Sequence, residues 1–357
     1  MALIGGPEIE GASRPVATSG TIPHVSFDSE PRGKRDEQRR RAADLVRDAD
    51  DSAGRRRRAP GIPSFLRDSV NDRVAVADRE DIIAVPVAPT RRLVSVAIAA
   101  FAGLLGLALV FGAHTVPSAY GVIILVVQLI YVAVWTVATR PKAPWIVGGV
   151  GALAAIASVW LTAAPVHRTS LAPLAFVTAA AFGLTMVGQL IRRDGRTKVT
   201  EGIGTTVTLI LGVVAYATLV VLIRTELGVE AVVLCVASAT IGIVVARATD
   251  VVLPFPRTTP QVARGTIGIL LGCALGTVAG GFLASVLKGM HPTHGVIAGL
   301  ISAGAGVLAD LGVGYSEASR EIDGEVGSLW LVRHMQGPLG AFALAGPAAY
   351  VVGIILN

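Results

Sequence analysis

Residues Gly295–Tyr315 read GVIAGLISAGAGVLADLGVGY. The stretch is long enough to span a bilayer as a helix of about 30 Å. Its one charged residue is Asp310. A carboxylate at membrane depth costs roughly 2.5–3.5 kcal/mol on insertion scales, so such a residue is a functional-site hypothesis by default. The nine other acids beyond Arg92 fall in loops or at segment ends.

Working outward, apolar runs of similar length recur. Nine candidate spans cover about 93–113, 118–138, 144–164, 171–191, 203–223, 229–247, 266–287, 295–315 and 338–356. The chain is 52% hydrophobic and 16% charged, with a mean hydropathy of +0.65. Soluble domains carry about 25% charged residues. These features predict an all-α integral membrane protein of about nine transmembrane helices.

The charge is concentrated at one end. Residues 1–92 hold 17 of the 31 Lys+Arg and 15 of the 25 Asp+Glu. The sequence therefore divides into a charged tail, 1–92, and a polytopic membrane domain, 93–357. The tail is too poor in apolar residues to offset its ordering entropy and is expected to be disordered. Within it, Arg35–Asp51 can form a short charged helix, and Asp81–Thr90 is a Pro-broken approach to the membrane. The block Arg55–Arg58 either docks on anionic headgroups, at about 1 kcal/mol per Arg, or is a solvated topogenic flank.

The first 20 residues lack a basic start followed by an apolar core. The chain is expected to insert through its first membrane helix. With the tail in the cytoplasm, eleven basic residues fall in cytoplasmic loops and three (Arg168, Arg224, Lys288) outside. The positive-inside rule supports that orientation and a multi-pass plasma-membrane location, with the C-terminus outside. The longest cytoplasmic loops are then Arg247–Arg264 and Ser316–Gly337, both beside the Asp310 end of its helix. The net charge of +6 is explained by these membrane flanks, so no nucleic-acid partner is expected.

Other features carry less chemistry. Cys235 and Cys273 lie in apolar runs and read as packing residues rather than a disulfide. Gly268, Gly272, Gly276 and Gly280 recur every fourth residue, followed by Gly295 and Gly299. That spacing permits close helix packing in lipid or lines a substrate groove. His291 and His294 form a loop pair with no third metal ligand nearby, and His167 with Arg168 forms another loop pair. Trp135, Trp145, Trp160 and Trp330 lie near span ends, as interfacial anchors do.

From about residue 236 to 350 the order of features resembles the phosphatidate cytidylyltransferase (CDP-diacylglycerol synthase) family. The loop Leu253-Pro254-Phe255-Pro256-Arg257-Thr258-Thr259-Pro260 precedes Gly265 and a glycine-rich span, where the family has Ser-Pro-Lys-Lys-Ser-x-Glu-Gly. Ala309-Asp310-Leu311 stands where the family has Gly-Asp-Leu. Ser316–Pro347 runs over the family signature.

The signature itself is altered. In Ser316-Glu317-Ala318-Ser319-Arg320 the family lysine becomes Ser319 and the arginine is kept as Arg320. The family Lys-Asp falls on Gly324-Glu325, ahead of Val326-Gly327. Its Asp-Arg-x-Asp falls on Gly340-Ala341-Phe342-Ala343, and its histidine on Met335 or His334. The paired lysines of the earlier loop fall near Gln261 and Val262.

The resemblance implies a nucleotidyltransferase scaffold whose chemistry needs metal ions held by carboxylates and cations on phosphate. Gly340 and Ala343 supply no side-chain oxygen for Mg²⁺.

Three readings follow. The first is a catalytically degenerate member that binds lipid, or assists a partner, in phospholipid or envelope biogenesis. It needs no cofactor. The second is an active CTP-dependent enzyme using Mg²⁺, with Asp310 and Glu325 catalytic, Asp310 on the metal, and Asp323 or Glu321, together with His334, completing the site. Arg257, Arg264, Arg320, Arg333 and His334 are the candidate phosphate- or headgroup-binding residues on either reading. The third is an unrelated transporter-like bundle. The implied partners are membrane lipids, including anionic phospholipid, and a membrane protein or second copy of the chain. Asp310 is either a metal ligand or a helix-end carboxylate paired with an arginine such as Arg320.

Overall fold

The structure is a computed structural model that describes residues 92–163, 170–191, 199–322 and 329–356. The tail readings, His167 with Arg168, the basic run at 192–198, and Asp323 and Glu325 lie outside the described residues. So do the side chains of Glu321 and Trp330.

Nine helices are described: α1 (Arg92–Ala113), α2 (Pro117–Thr139), α3 (Pro144–Ala163), α4 (Ala172–Ile191), α5 (Val199–Leu222), α6 (Gly228–Val252), α7 (Thr266–Val286), α8 (Pro292–Ile322) and α9 (Trp330–Leu356). Among the described residues, the single β-type pairing is an isolated bridge between Arg257 and Gly265. Helices α1 to α8 are each long and apolar enough to cross a membrane. Helix α9 has polar first turns and two internal prolines, Pro338 and Pro347.

Two helix groups share a seam. Helices α6, α7 and α8 pack on one another, with α1 against α6; α2, α3, α4 and α5 form the second group; α9 touches α1, α2, α5, α6 and α8. Helices α5 and α6 are the most buried, α4 and α7 the least. Large apolar side chains such as Leu104, Phe111, Phe176, Leu190 and Phe282 face outward. In water such a surface would aggregate; in lipid it is the expected exterior. This is a multi-pass helical membrane protein.

Lipid gives little hydrophobic drive for helices to associate, so backbone proximity and internal hydrogen bonds matter. The glycine row of α7 supplies the first. A β-carbon on Gly276 would stand 2.8 Å from the Ser238 carbonyl oxygen of α6, and one on Gly280 would stand 2.7 Å from the Gly299 Cα of α8. The row is therefore a packing seam, and Gly295 and Gly299 belong to the same seam. Both cysteines are free.

Buried polar groups supply the second. The Tyr216 hydroxyl of α5 donates to the Leu339 carbonyl oxygen of α9 at 2.6 Å. Gln128 Nε2 of α2 donates to the Val213 carbonyl oxygen at 2.7 Å and to Ser158 Oγ at 3.2 Å. Tyr216→Phe is expected to lower stability by about 1–2 kcal/mol, read as a thermal shift in detergent; an unshifted melt would remove this bond from the account.

Span positions follow the apolar runs, but helix extends into both expected loops. Helix α6 runs on to Val252 and α8 to Ile322, and α9 begins at Trp330. The extra turns carry Arg247, Asp250, Glu317, Arg320 and Arg333. A hydropathy reading ends a span at such charges. The helices continue because these charges find partners: Arg247 meets Asp310, Asp250 meets Arg264, Glu317 meets Arg333, and Arg320 donates to a backbone carbonyl.

Candidate functional site

Asp310 sits in α8 with no exposure to solvent. Arg247, in the last two turns of α6, donates Nε to its Oδ2 at 2.7 Å and Nη2 to its Oδ1 at 2.5 Å. Arg264, just before α7, donates Nη1 to Oδ2 at 2.5 Å. The same guanidinium forms an ion pair through Nε with Asp250 Oδ2 at 3.0 Å. Asp250 Oδ1 in turn accepts the Gly265 backbone N–H at 2.9 Å.

Two arginines and two aspartates thus close a neutral, buried network joining α6, α8 and the segment that leads into α7. Arg247 and Asp250 are three residues apart, on one face of α6. Helix α9 closes the other side, where a β-carbon on Gly337 would stand 3.0 Å from the Asp310 Cα. Both Asp310 oxygens are engaged by guanidinium groups. A divalent ion there would have to displace one arginine and lie beside the other, which Coulomb repulsion opposes.

Sequence reasoning named Asp310 and Arg264 but missed Arg247 and Asp250 as their partners. Both fall in the expected Arg247–Arg264 loop, where the end of an apolar run assigns them no partner. The usable signal was an Arg and an Asp three apart at the end of an apolar span. Arg320 does not pair with Asp310. It donates to the Ala138 carbonyl oxygen at 2.9 Å, tying the end of α8 to the end of α2. Arg333 lies 3.5 Å from Glu317 and is almost fully buried. Arg257 stacks over the Phe255 ring at 5.4 Å and reaches the Pro260 carbonyl oxygen. His334 is half-buried in the first turns of α9.

Two cavities adjoin near Arg320. One, of about 690 Å³, lies between α2, α5, α8 and α9. Its wall is mainly apolar and includes Trp135, Leu211, Val313, Leu344 and Pro347, with Thr139, Thr208, Ser316, Gln336 and Arg320 as polar members. Gly340 and Ala343 belong to this wall, whereas Ala341 and Phe342 are buried in helix packing. The second cavity, of about 360 Å³, is polar and lined by Arg140, Lys142, Gln189, Glu201, Arg320 and Arg333 among others. Thr139 and Arg320 line both.

Comparisons with protein-family models, with curated proteins and with solved structures found no match. The site must therefore be read from its own chemistry. Among the described residues, no group of three or more His, Cys, Asp or Glu side chains is placed to hold a metal ion. His291 and His294 stand with ring centroids 5.9 Å apart at the start of α8. Trp145 and Trp160 are exposed near helix ends, the positions at which interfacial anchors occur. Trp135 instead packs on Tyr131 at 5.4 Å and faces the apolar cavity.

Proposed function

We propose that this chain is a phospholipid-binding membrane protein built on a phosphatidate cytidylyltransferase-like scaffold without its catalysis. On this reading it serves phospholipid or envelope biogenesis from the plasma membrane, with its N-terminus in the cytoplasm. The observation that carries the reading is the apolar cavity around Gly340 and Ala343. Those positions align with the two signature aspartates of the family, and here they supply a greasy wall. Asp310, aligned with the retained acid, is already neutralised by two arginines. A cavity of this size and lining suits an acyl chain, with few polar groups to fix its orientation.

The test is lipid retention by native mass spectrometry of the purified protein, comparing the unaltered chain with Gly340→Phe. A β-carbon at Gly340 meets nothing within 4 Å, so the ring enters the cavity without disturbing a helix contact. The unaltered protein is expected to carry phospholipid through gentle detergent, and Gly340→Phe to lose at least about nine-tenths of it, a tenfold change. Equal retention by a folded variant would place any bound lipid elsewhere and sink the reading.

A further inference from the structure

The polar cavity is not explained by an acyl chain. It lies where the α2–α3 turn, the end of α4, the start of α5, the end of α8 and the start of α9 meet on one face of the bundle. Two of its side chains are more than nine-tenths buried and not fully satisfied. Gln189 is 6% exposed, and its Oε1 has no hydrogen-bond partner. Arg333 is 4% exposed, and its Nη1 makes only the 3.5 Å contact with Glu317. An unmet buried acceptor is costly to fold around, and a ligand hydroxyl can recover that cost.

The lining carries four cations, Arg140, Lys142, Arg320 and Arg333, and one acid, Glu201. Arg140 caps α2 in the left-handed conformation, with φ 46°. That conformation is costly for a residue with a β-carbon, and it recurs at binding sites where the surroundings hold it. The mixture is informative. A phosphate needs the cations. The cations serve a phosphomonoester and a phosphodiester alike, but the acid and the neutral acceptor beside them add acceptors for hydroxyl groups, which a polyol headgroup supplies and phosphatidate lacks.

Resting on the lipid-binding reading above, we propose that this chamber is the headgroup site of a polyol phospholipid. The phosphodiester lies against Arg320, Arg140 and Lys142. Headgroup hydroxyls donate to Gln189 and Glu201. One acyl chain passes Thr139 and Arg320, the two residues common to both cavities, into the apolar chamber. The ligand class is thus a diester such as phosphatidylglycerol or phosphatidylinositol, rather than phosphatidate or a zwitterionic lipid.

The test uses the full chain in nanodiscs containing equal parts phosphatidylglycerol, phosphatidate and phosphatidylcholine, with retained lipid identified by native mass spectrometry. Phosphatidylglycerol should be enriched about tenfold over each of the others, as one to two charge-assisted hydrogen bonds allow. Gln189→Leu and Glu201→Ala should each remove the preference over phosphatidate while lipid is still retained. Glu201 is exposed, so its variant keeps the test valid if Gln189→Leu misfolds. Arg140→Gly, which suits the left-handed cap, should lower retention of both anionic lipids.

Lipid retained without a polyol preference, or with a preference that both acceptor variants keep, overturns the headgroup assignment and leaves the lipid-binding reading standing. No retained lipid at all overturns both. Full displacement by soluble glycerophosphate also overturns the proposal, because the acyl chain would then contribute nothing.

Discussion

Asp310→Asn is expected to destabilise this protein by about 3–5 kcal/mol, the cost of stranding a buried charge. The carboxylate offsets two guanidinium groups that are themselves buried, Arg247 and Arg264. Asparagine keeps the shape but leaves the four-residue network with a net positive charge at membrane depth. The neutral amide also turns its two N–H donors toward groups that are only donors. The measurement is a thermal melt in detergent, with the folded fraction followed by size exclusion. A melt unchanged from the unaltered protein would mean that Asp310 is not the keystone of the network. The double variant Asp310→Asn with Arg247→Gln removes one charge of each sign and should recover part of the loss, since directly contacting residues couple strongly. A catalytic carboxylate would behave differently: its replacement would spare stability and affect only turnover.

The second large effect lies on the glycine seam of α7. Gly276→Leu is expected to cost about 3 kcal/mol or more, at the upper end for overpacking. Even its β-carbon would stand 2.8 Å from the Ser238 carbonyl oxygen and overlap the Ala303 β-carbon. Backbone cannot yield there without separating α6 and α8 from α7. Gly304→Ala is the control, because a β-carbon at Gly304 meets nothing within 4 Å; alanine also favours the helix by roughly 1 kcal/mol. Comparing the melts of the two variants separates packing from helix propensity. If both variants melt alike, the seam is not holding the bundle.

The spans were legible because bilayer thickness fixes the length of an apolar run, and the glycine period was legible because helix packing repeats every fourth residue. The ends of α6, α8 and α9 were not. Arg247, Asp250, Arg320 and Arg333 look like loop charges until tertiary structure brings counter-charges to them. Asp310 stood out as a lone acid because its partners come from α6 and the segment before α7, 63 and 46 residues away in sequence. That positions 340 and 343 carry no side-chain oxygen could be read directly from the chain. That their places border an apolar cavity, and that a basic chamber opens next to it, depends on α2 and α5. Nothing in the family-like stretch announces those helices. Gln189 and Arg140 were invisible as site residues for the same reason.

The central claim is that the acid inside the membrane holds the fold together and that the cavity beside it holds lipid without transforming it. The most direct measurement incubates the purified protein with phosphatidate, CTP and Mg²⁺ and weighs every lipid, bound and released, by mass spectrometry. Bound phospholipid with only the masses supplied is the predicted result; CDP-diacylglycerol formed above a heat-denatured control would contradict it.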